Sequence, residues 1–203
     1  MKTLRMTLVA LATACTALPA WADKIPLDQI SAYFNGFKTA QSDFTQINSD
    51  GSLSTGTLYL HRPGRMRFEY DAPNDALVIA GGQKVAIFDN KSNQGPEEYP
   101  LRRTPLSIIL KRNVNLKQAN MVVGHTSDDT STTVIAQDPE HPEYGSIAMS
   151  FTDNPVVLRR WVVTNGAGDQ TTVILGDLEL GVKLSGFLFN IVFEAEKRLG
   201  TND

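Results

Sequence analysis

Arg62-Pro63-Gly64-Arg65-Met66-Arg67-Phe68-Glu69-Tyr70 is a turn that runs into a strand. Proline before glycine favours a chain reversal, and the six residues that follow alternate strictly. Met66, Phe68 and Tyr70 fall on one side; Arg65, Arg67 and Glu69 fall on the other. On the near side of the turn, Leu58 and Leu60 alternate with Thr57 and Tyr59 in the same period of two. The pair reads as a hairpin with one apolar face, made of Leu58, Leu60, Met66, Phe68 and Tyr70. Arg65 and Arg67 are expected to point into solvent.

Working outward, the same signature recurs. Short strand-like runs occupy residues 77–80, 85–88, 132–136, 146–151, 156–164, 171–175 and 183–193. Turn signals separate them: Gly81-Gly82, Asp89-Asn90, Asp153-Asn154-Pro155 and Asn165-Gly166. Many short strands joined by hairpin-length turns imply an antiparallel sheet. Two helices break the pattern. Ile30, Tyr33, Phe34 and Phe37 follow helical spacing between Pro26 and Gly36. Thr104-Pro105 then opens a stubby helix through Leu106, Ile108, Ile109 and Leu110, closed by Lys111-Arg112. A further helical turn is expected over residues 116–121. The fold class is thus β-rich α+β. No repeat, low-complexity tract or linker divides the chain.

The first 22 residues read as a cleavable signal peptide. Lys2 and Arg5 supply its positive end, residues 6–18 its apolar stretch, and Ala20-Trp21-Ala22 its small-x-small cleavage site. Cleavage would leave a single domain over residues 23–203, beginning at Asp23. Ala12-Thr13-Ala14-Cys15 resembles a lipoprotein box, in which Cys15 would be acylated, but it lacks the usual leading leucine. Removal of the signal takes both Lys2 and Arg5 and moves the net charge from −3 to −5. A mildly acidic chain has no field to attract nucleic acid. Cys15 is the only cysteine and leaves with the signal, so packing alone must hold the mature domain together.

Catalytic patterns are missing from the sequence. There is no Gly-x-Ser-x-Gly elbow and no phosphate-binding Gly-x-x-x-x-Gly-Lys. His61, His125 and His141 are far apart in sequence and read as solvated residues. Glu97-Glu98 and Asp128-Asp129 lie in polar stretches and read as solvated loop carboxylates. No enzyme, metal site or cofactor is expected.

The segment from Phe44 to Asp89 resembles the LolA-type periplasmic lipoprotein carriers of Gram-negative bacteria. The resemblance rests on Phe44-x-Gln46, Ser54-x-Gly56, the run from Arg62 to Tyr70, Pro73, and Gly82 before the strand at 85–88; Thr104-Pro105-Leu106 resembles a helix of the family's lid. Phe68, Gly81 and Ala86 stand where the family often has tryptophan, aspartate and an aromatic. The resemblance implies an incomplete antiparallel β-barrel with helices forming a lid over an apolar cavity. It assigns Leu58, Leu60, Met66, Phe68, Tyr70, Phe187 and Phe189 to the lipid cavity, and Leu106, Ile109 and Leu110 to the lid. Arg62 would be a latch reaching across to the lid helices. The implied protein is a periplasmic monomer that binds the acyl chains of outer-membrane lipoproteins. An inner-membrane ABC-type release complex would load it and an outer-membrane receptor would unload it. The alternative within the same fold is a periplasmic module that senses lipid or lipoprotein and signals to a partner.

Overall fold

A computed structural model describes residues 24–89 and 95–200. The expected signal peptide with Cys15, the expected mature start at Asp23 and the turn residue Asn90 lie outside the described residues. Twelve strands form one antiparallel sheet: β1 (Thr39–Ile47), β2 (Leu53–His61), β3 (Arg65–Tyr70), β4 (Leu77–Gly81), β5 (Lys84–Phe88), β6 (Glu97–Pro100), β7 (Val122–Ser127), β8 (Thr132–Gln137), β9 (Ser146–Thr152), β10 (Val157–Thr164), β11 (Gln170–Leu175) and β12 (Glu179–Leu180). The spatial order is β6-β5-β4-β3-β2-β1-β11-β10-β9-β8-β7, with β12 also paired to β1. β6 and β7 are the two ends and do not pair, so the barrel stays open. Glu97-Glu98 therefore sits on an edge strand rather than in a loop, where charge and the closing Pro100 oppose further pairing.

The hairpin that opened the reading is β2–β3. Its register sets Leu58 opposite Phe68 and Leu60 opposite Met66. Gly56 lies opposite Tyr70, and a Cβ there would stand 1.9 Å from the Glu69 carbonyl oxygen, so only glycine permits this approach. On the far half of the sheet, β10 shifts register between Leu158 and Arg160. The irregularity lets Leu158 and Trp161 both turn inward, where they are buried.

The inner face is covered by α1 (Leu27–Asn35) and α2 (Leu106–Leu110). α1 buries Ile30 and Phe34 and ends at Gly36, whose N–H bonds the Ala32 and Tyr33 carbonyls. α2 buries Ile108, Ile109 and Leu110. Thr104 does not cap it; its hydroxyl donates to the Leu101 carbonyl at 2.8 Å instead. Residues 116–121 form turns, not a helix.

The last stretch departs most from expectation. Residues 183–193 are not a strand. Gly186–Phe189 is a 3₁₀ turn and leads into α3 (Ile191–Gly200), which packs on the outer face. There Ile191 and Ala195 join Leu77 and Ile79 of β4 and Ala86 and Phe88 of β5 in a second, smaller core. A Cβ at Gly81 would come within 2.2 Å of the Phe189 carbonyl oxygen, which is how closely the turn approaches the sheet. No described helix is long and apolar enough to cross a membrane.

Candidate functional site

The inner face of the sheet and the undersides of α1 and α2 form one continuous apolar cluster. Leu58, Leu60, Met66 and Phe68 are buried in it, and Tyr70 is half-buried at its margin. Phe44 bridges Phe68 and Tyr70 edge-on, with ring centroids 5.1 and 5.2 Å away. Trp161 from the far half of the sheet reaches Phe68 at 6.3 Å. The Tyr70 hydroxyl donates to Gln46 Oε1 at 2.8 Å, giving the phenol a partner at the edge of an apolar region. From α2, Ile109 and Leu110 enter the cluster fully, and Leu106 packs against it while half-buried. Phe34, Phe37 and Ile108 do the same, although sequence reasoning had not named them as lid residues.

Among the described residues, Arg62 is the one charged side chain buried in this setting. Arg62 is 4% exposed and sits at the end of the β2–β3 turn, under both helices. Its Nη1 donates to the carbonyl of Phe34 and, at 3.4 Å, to that of Phe37. Its Nη2 donates to the carbonyls of Lys111 at 2.6 Å and Arg112 at 3.5 Å, and to Asn35 Oδ1 at 3.5 Å. The guanidinium thus bonds the C-terminal ends of α1 and α2, whose last carbonyls lack intrahelical partners. The adjoining turn adds a backbone bond from Gly64 N–H to the Leu110 carbonyl, 2.9 Å. The Phe34 and Phe37 rings lie 6.0 and 5.8 Å from the guanidinium carbon. Among the described residues no carboxylate pairs with Arg62, and its Nε has no partner. Burial therefore pushes its pKa below the usual arginine value.

A sequence profile described as outer membrane lipoprotein carrier protein LolA matches residues 35–192, spanning the whole sheet and α2. The chain belongs to this family. An outer-membrane lipoprotein carrier protein of Coxiella burnetii (strain CbuK_Q154) is 25% identical over 170 residues, covering 79% of this chain and 80% of the relative. An outer-membrane lipoprotein carrier protein of Cupriavidus necator is 28% identical over 155 residues, covering 68% and 74%. The solved structure of a LolA superfamily protein from Nitrosomonas europaea covers 82% of this chain and 98% of its own, at 10% identity and a TM-score of 0.42. Family membership makes this chain one of a group of lipoprotein carriers rather than of enzymes.

Two expectations for this LolA-family chain need correction. Phe187 and Phe189 do not line the inner face. Phe187 is 68% exposed and touches the Phe193 ring at 5.7 Å. Phe189 is buried, but on the outer face, edge-on to His61 at 5.7 Å and beneath the Arg65 guanidinium at 6.0 Å. The 3₁₀ turn carries both rings to the convex side. Arg67 is not solvated either; it is 7% exposed because α3 covers it. Its Nε bonds Glu69 at 2.6 Å, and its Nη1 bonds Glu194 at 3.2 Å and the Leu188 carbonyl at 3.0 Å.

The histidines also differ from the uniform reading. His141 is exposed and stacked on Tyr144 at 4.7 Å. His61 is half-buried beside Arg65, 3.0 Å from Nε2 to Nη2. Burial, with that cation beside it, lowers its pKa. His125 Nε2 lies 2.9 Å from the Ile25 carbonyl and helps tie the start of α1 to β7. Among the described residues no three His, Cys, Asp or Glu side chains are grouped to hold a metal ion.

Proposed function

We propose that this protein carries the acyl chains of lipoproteins through the periplasm, holding them between the inner face of the sheet and the lid formed by α1 and α2. An inner-membrane ABC-type complex loads it and an outer-membrane receptor accepts the cargo. The export signal read at residues 1–22 fits that location. Three chains of about 15 carbons represent about 30 kcal/mol or more of gross transfer free energy, at about 0.8 kcal/mol per methylene. A carrier must offset most of this without binding so tightly that delivery fails.

The observation that carries the reading is Arg62. A buried guanidinium without a counter-charge spans two helix ends above an apolar face. Its bonds to carbonyls stabilise the closed, empty form by about 1–3 kcal/mol in total. When the lid lifts, those carbonyls and the guanidinium can each take up water, and no carboxylate is stranded. Acyl chains entering beneath the lid replace the apolar contacts that its opening costs, while the lost Arg62 bonds are not replaced. Cargo is thereby held less tightly, which favours release. Leu58, Leu60, Met66, Phe68 and Tyr70 line the site in this reading.

Site-specific photocrosslinking tests it. A photoreactive residue at position 68 is expected to capture acylated lipoprotein in the periplasm, and one at Tyr59, on the outer face of the same hairpin, is not. Equal capture at the two positions would remove the inner face as the binding surface.

A further inference from the structure

The polar side of α1 turns away from the sheet, with Ser31 buried and Asp28 and Asn35 exposed. Asp28, Ser31 and Asn35 lie three and four residues apart and form one stripe, beside the apolar stripe of Ile30 and Phe34. Opposite this stripe runs the chain that leaves α2, residues 114–117. Asn35 clasps it with two bonds: its Nδ2 donates to the Val114 carbonyl at 2.9 Å, and Val114 N–H donates to its Oδ1 at 2.9 Å. One side-chain amide thus replaces both halves of a strand pairing. Ser31 Oγ accepts from Leu116 N–H at 3.1 Å while donating to the Leu27 carbonyl at 2.6 Å. Asp28 Oδ2 meets Lys117 Nζ at 3.1 Å. Val114 and Leu116 are buried in the same cluster as α1, so the clasp is dry on one side.

We infer that Asn35, supported by Ser31, joins α1 and the segment after α2 into one lid body that leaves the sheet as a unit. Asn35 is then a positioning residue that makes the release of Arg62 act on both parts at once. Its place in the array suits that role, because its Oδ1 receives both Val114 N–H and, at 3.5 Å, Arg62 Nη2. Without the clasp, Arg62 would hold two independent pieces, and cargo could lift one while the other stayed down. The inference rests on the reading of α1 and α2 as a lid, but its test does not require cargo.

Amide hydrogen exchange on the empty, full-length mature protein reads the coupling directly. The probes are Leu116 N–H, bonded to Ser31 rather than to Asn35, and the helical amides of Phe34 and Asn35. In the parent these should exchange within about threefold of one another through a common opening. Arg62→Leu should speed both by a similar factor, about tenfold. Asn35→Ala should speed Leu116 by about tenfold and the α1 amides by less than threefold. In that background, adding Arg62→Leu should no longer move the two sites together. Asn35→Asp keeps the acceptor for Val114 N–H and should separate them less than alanine does. The inference is overturned if Asn35→Ala leaves Leu116 as protected as the parent, or if Arg62→Leu alone frees α1 and not Leu116. Uptake of a fluorescent fatty acid by the parent is scored separately. Coupled exchange without uptake would sink the carrier reading and leave the lid coupling standing.

Discussion

Two arginines five residues apart, Arg62 and Arg67, are both buried, and they are buried in opposite ways. Arg67 faces outward beneath α3 and is neutralised by Glu69 and Glu194. Arg198 extends the network to Glu194 at 3.2 Å and lies over the Phe88 ring at 5.2 Å. Arg62 faces the lid and meets carbonyl oxygens alone. Separating a buried ion pair leaves a charge on each side, whereas separating a guanidinium from helix-end carbonyls leaves a charge on one side only. In the proposed reading the outer covering stays on and the inner covering comes off. A carrier needs one face that keeps the sheet intact while the other admits cargo.

The comparison breaks first if the inner face tolerates charge. Phe68→Glu would place an unpaired carboxylate among Phe44, Trp161 and the lid. It is expected to abolish acyl-chain binding and to destabilise the domain by about 4 kcal/mol or more. Circular dichroism must accompany the binding assay, to separate lost binding from lost fold. Next in size is Arg67→Met, which leaves Glu194 buried without its main-sheet partner. Urea denaturation should show a loss of about 3 kcal/mol. Below the unfolding transition the variant should still bind cargo, because it changes only the outer face.

Acid provides a finer probe of the same clamp. Burial alone would raise the Glu194 carboxyl, but Arg198 and Arg67 overcome it and hold the pKa below the usual glutamate value. A depressed folded-state pKa stabilises above the unfolded value of about 4.3, and that stability is lost as pH falls through the lower folded value. The stability difference between the parent and Glu194→Gln should therefore shrink as the pH drops from 7 to below about 4. A difference unchanged over that range would mean that Glu194 charge does not hold α3. The smallest stability effect should belong to Arg62→Leu, about 1–2 kcal/mol, since the apolar contact of a leucine offsets only part of the lost bonds.

The two faces were not equally legible in the sequence. The inner face of β2–β3 could be read because apolar and charged residues alternate without a break from Arg65 to Tyr70. The position of Arg62 was marked by the turn and by family resemblance, though nothing local specified its five acceptors. Those come from Phe34, Asn35, Phe37, Lys111 and Arg112, brought together only by the fold. Arg67 was misplaced because a polar strand face normally meets water, and its cover arrives from α3 more than 120 residues later. Phe187-Leu188-Phe189 was misread because a short apolar run carries no period that separates strand from 3₁₀ turn. The clasp at Asn35 gave no signal at all, as one asparagine at a helix end is also an ordinary cap.

Cargo transfer in a purified system is the most direct test of the inner covering as a releasable lid. Loaded parent and loaded Arg62→Leu carrier are each mixed with the outer-membrane receptor, and the fraction of lipoprotein transferred is measured. With the latch removed, the empty closed form loses its advantage. Arg62→Leu should load as well as the parent, hold cargo about tenfold more tightly, and pass a smaller fraction of it to the receptor. Loading and transfer indistinguishable from the parent would contradict the account, and would make Arg62 a structural arginine with no part in release.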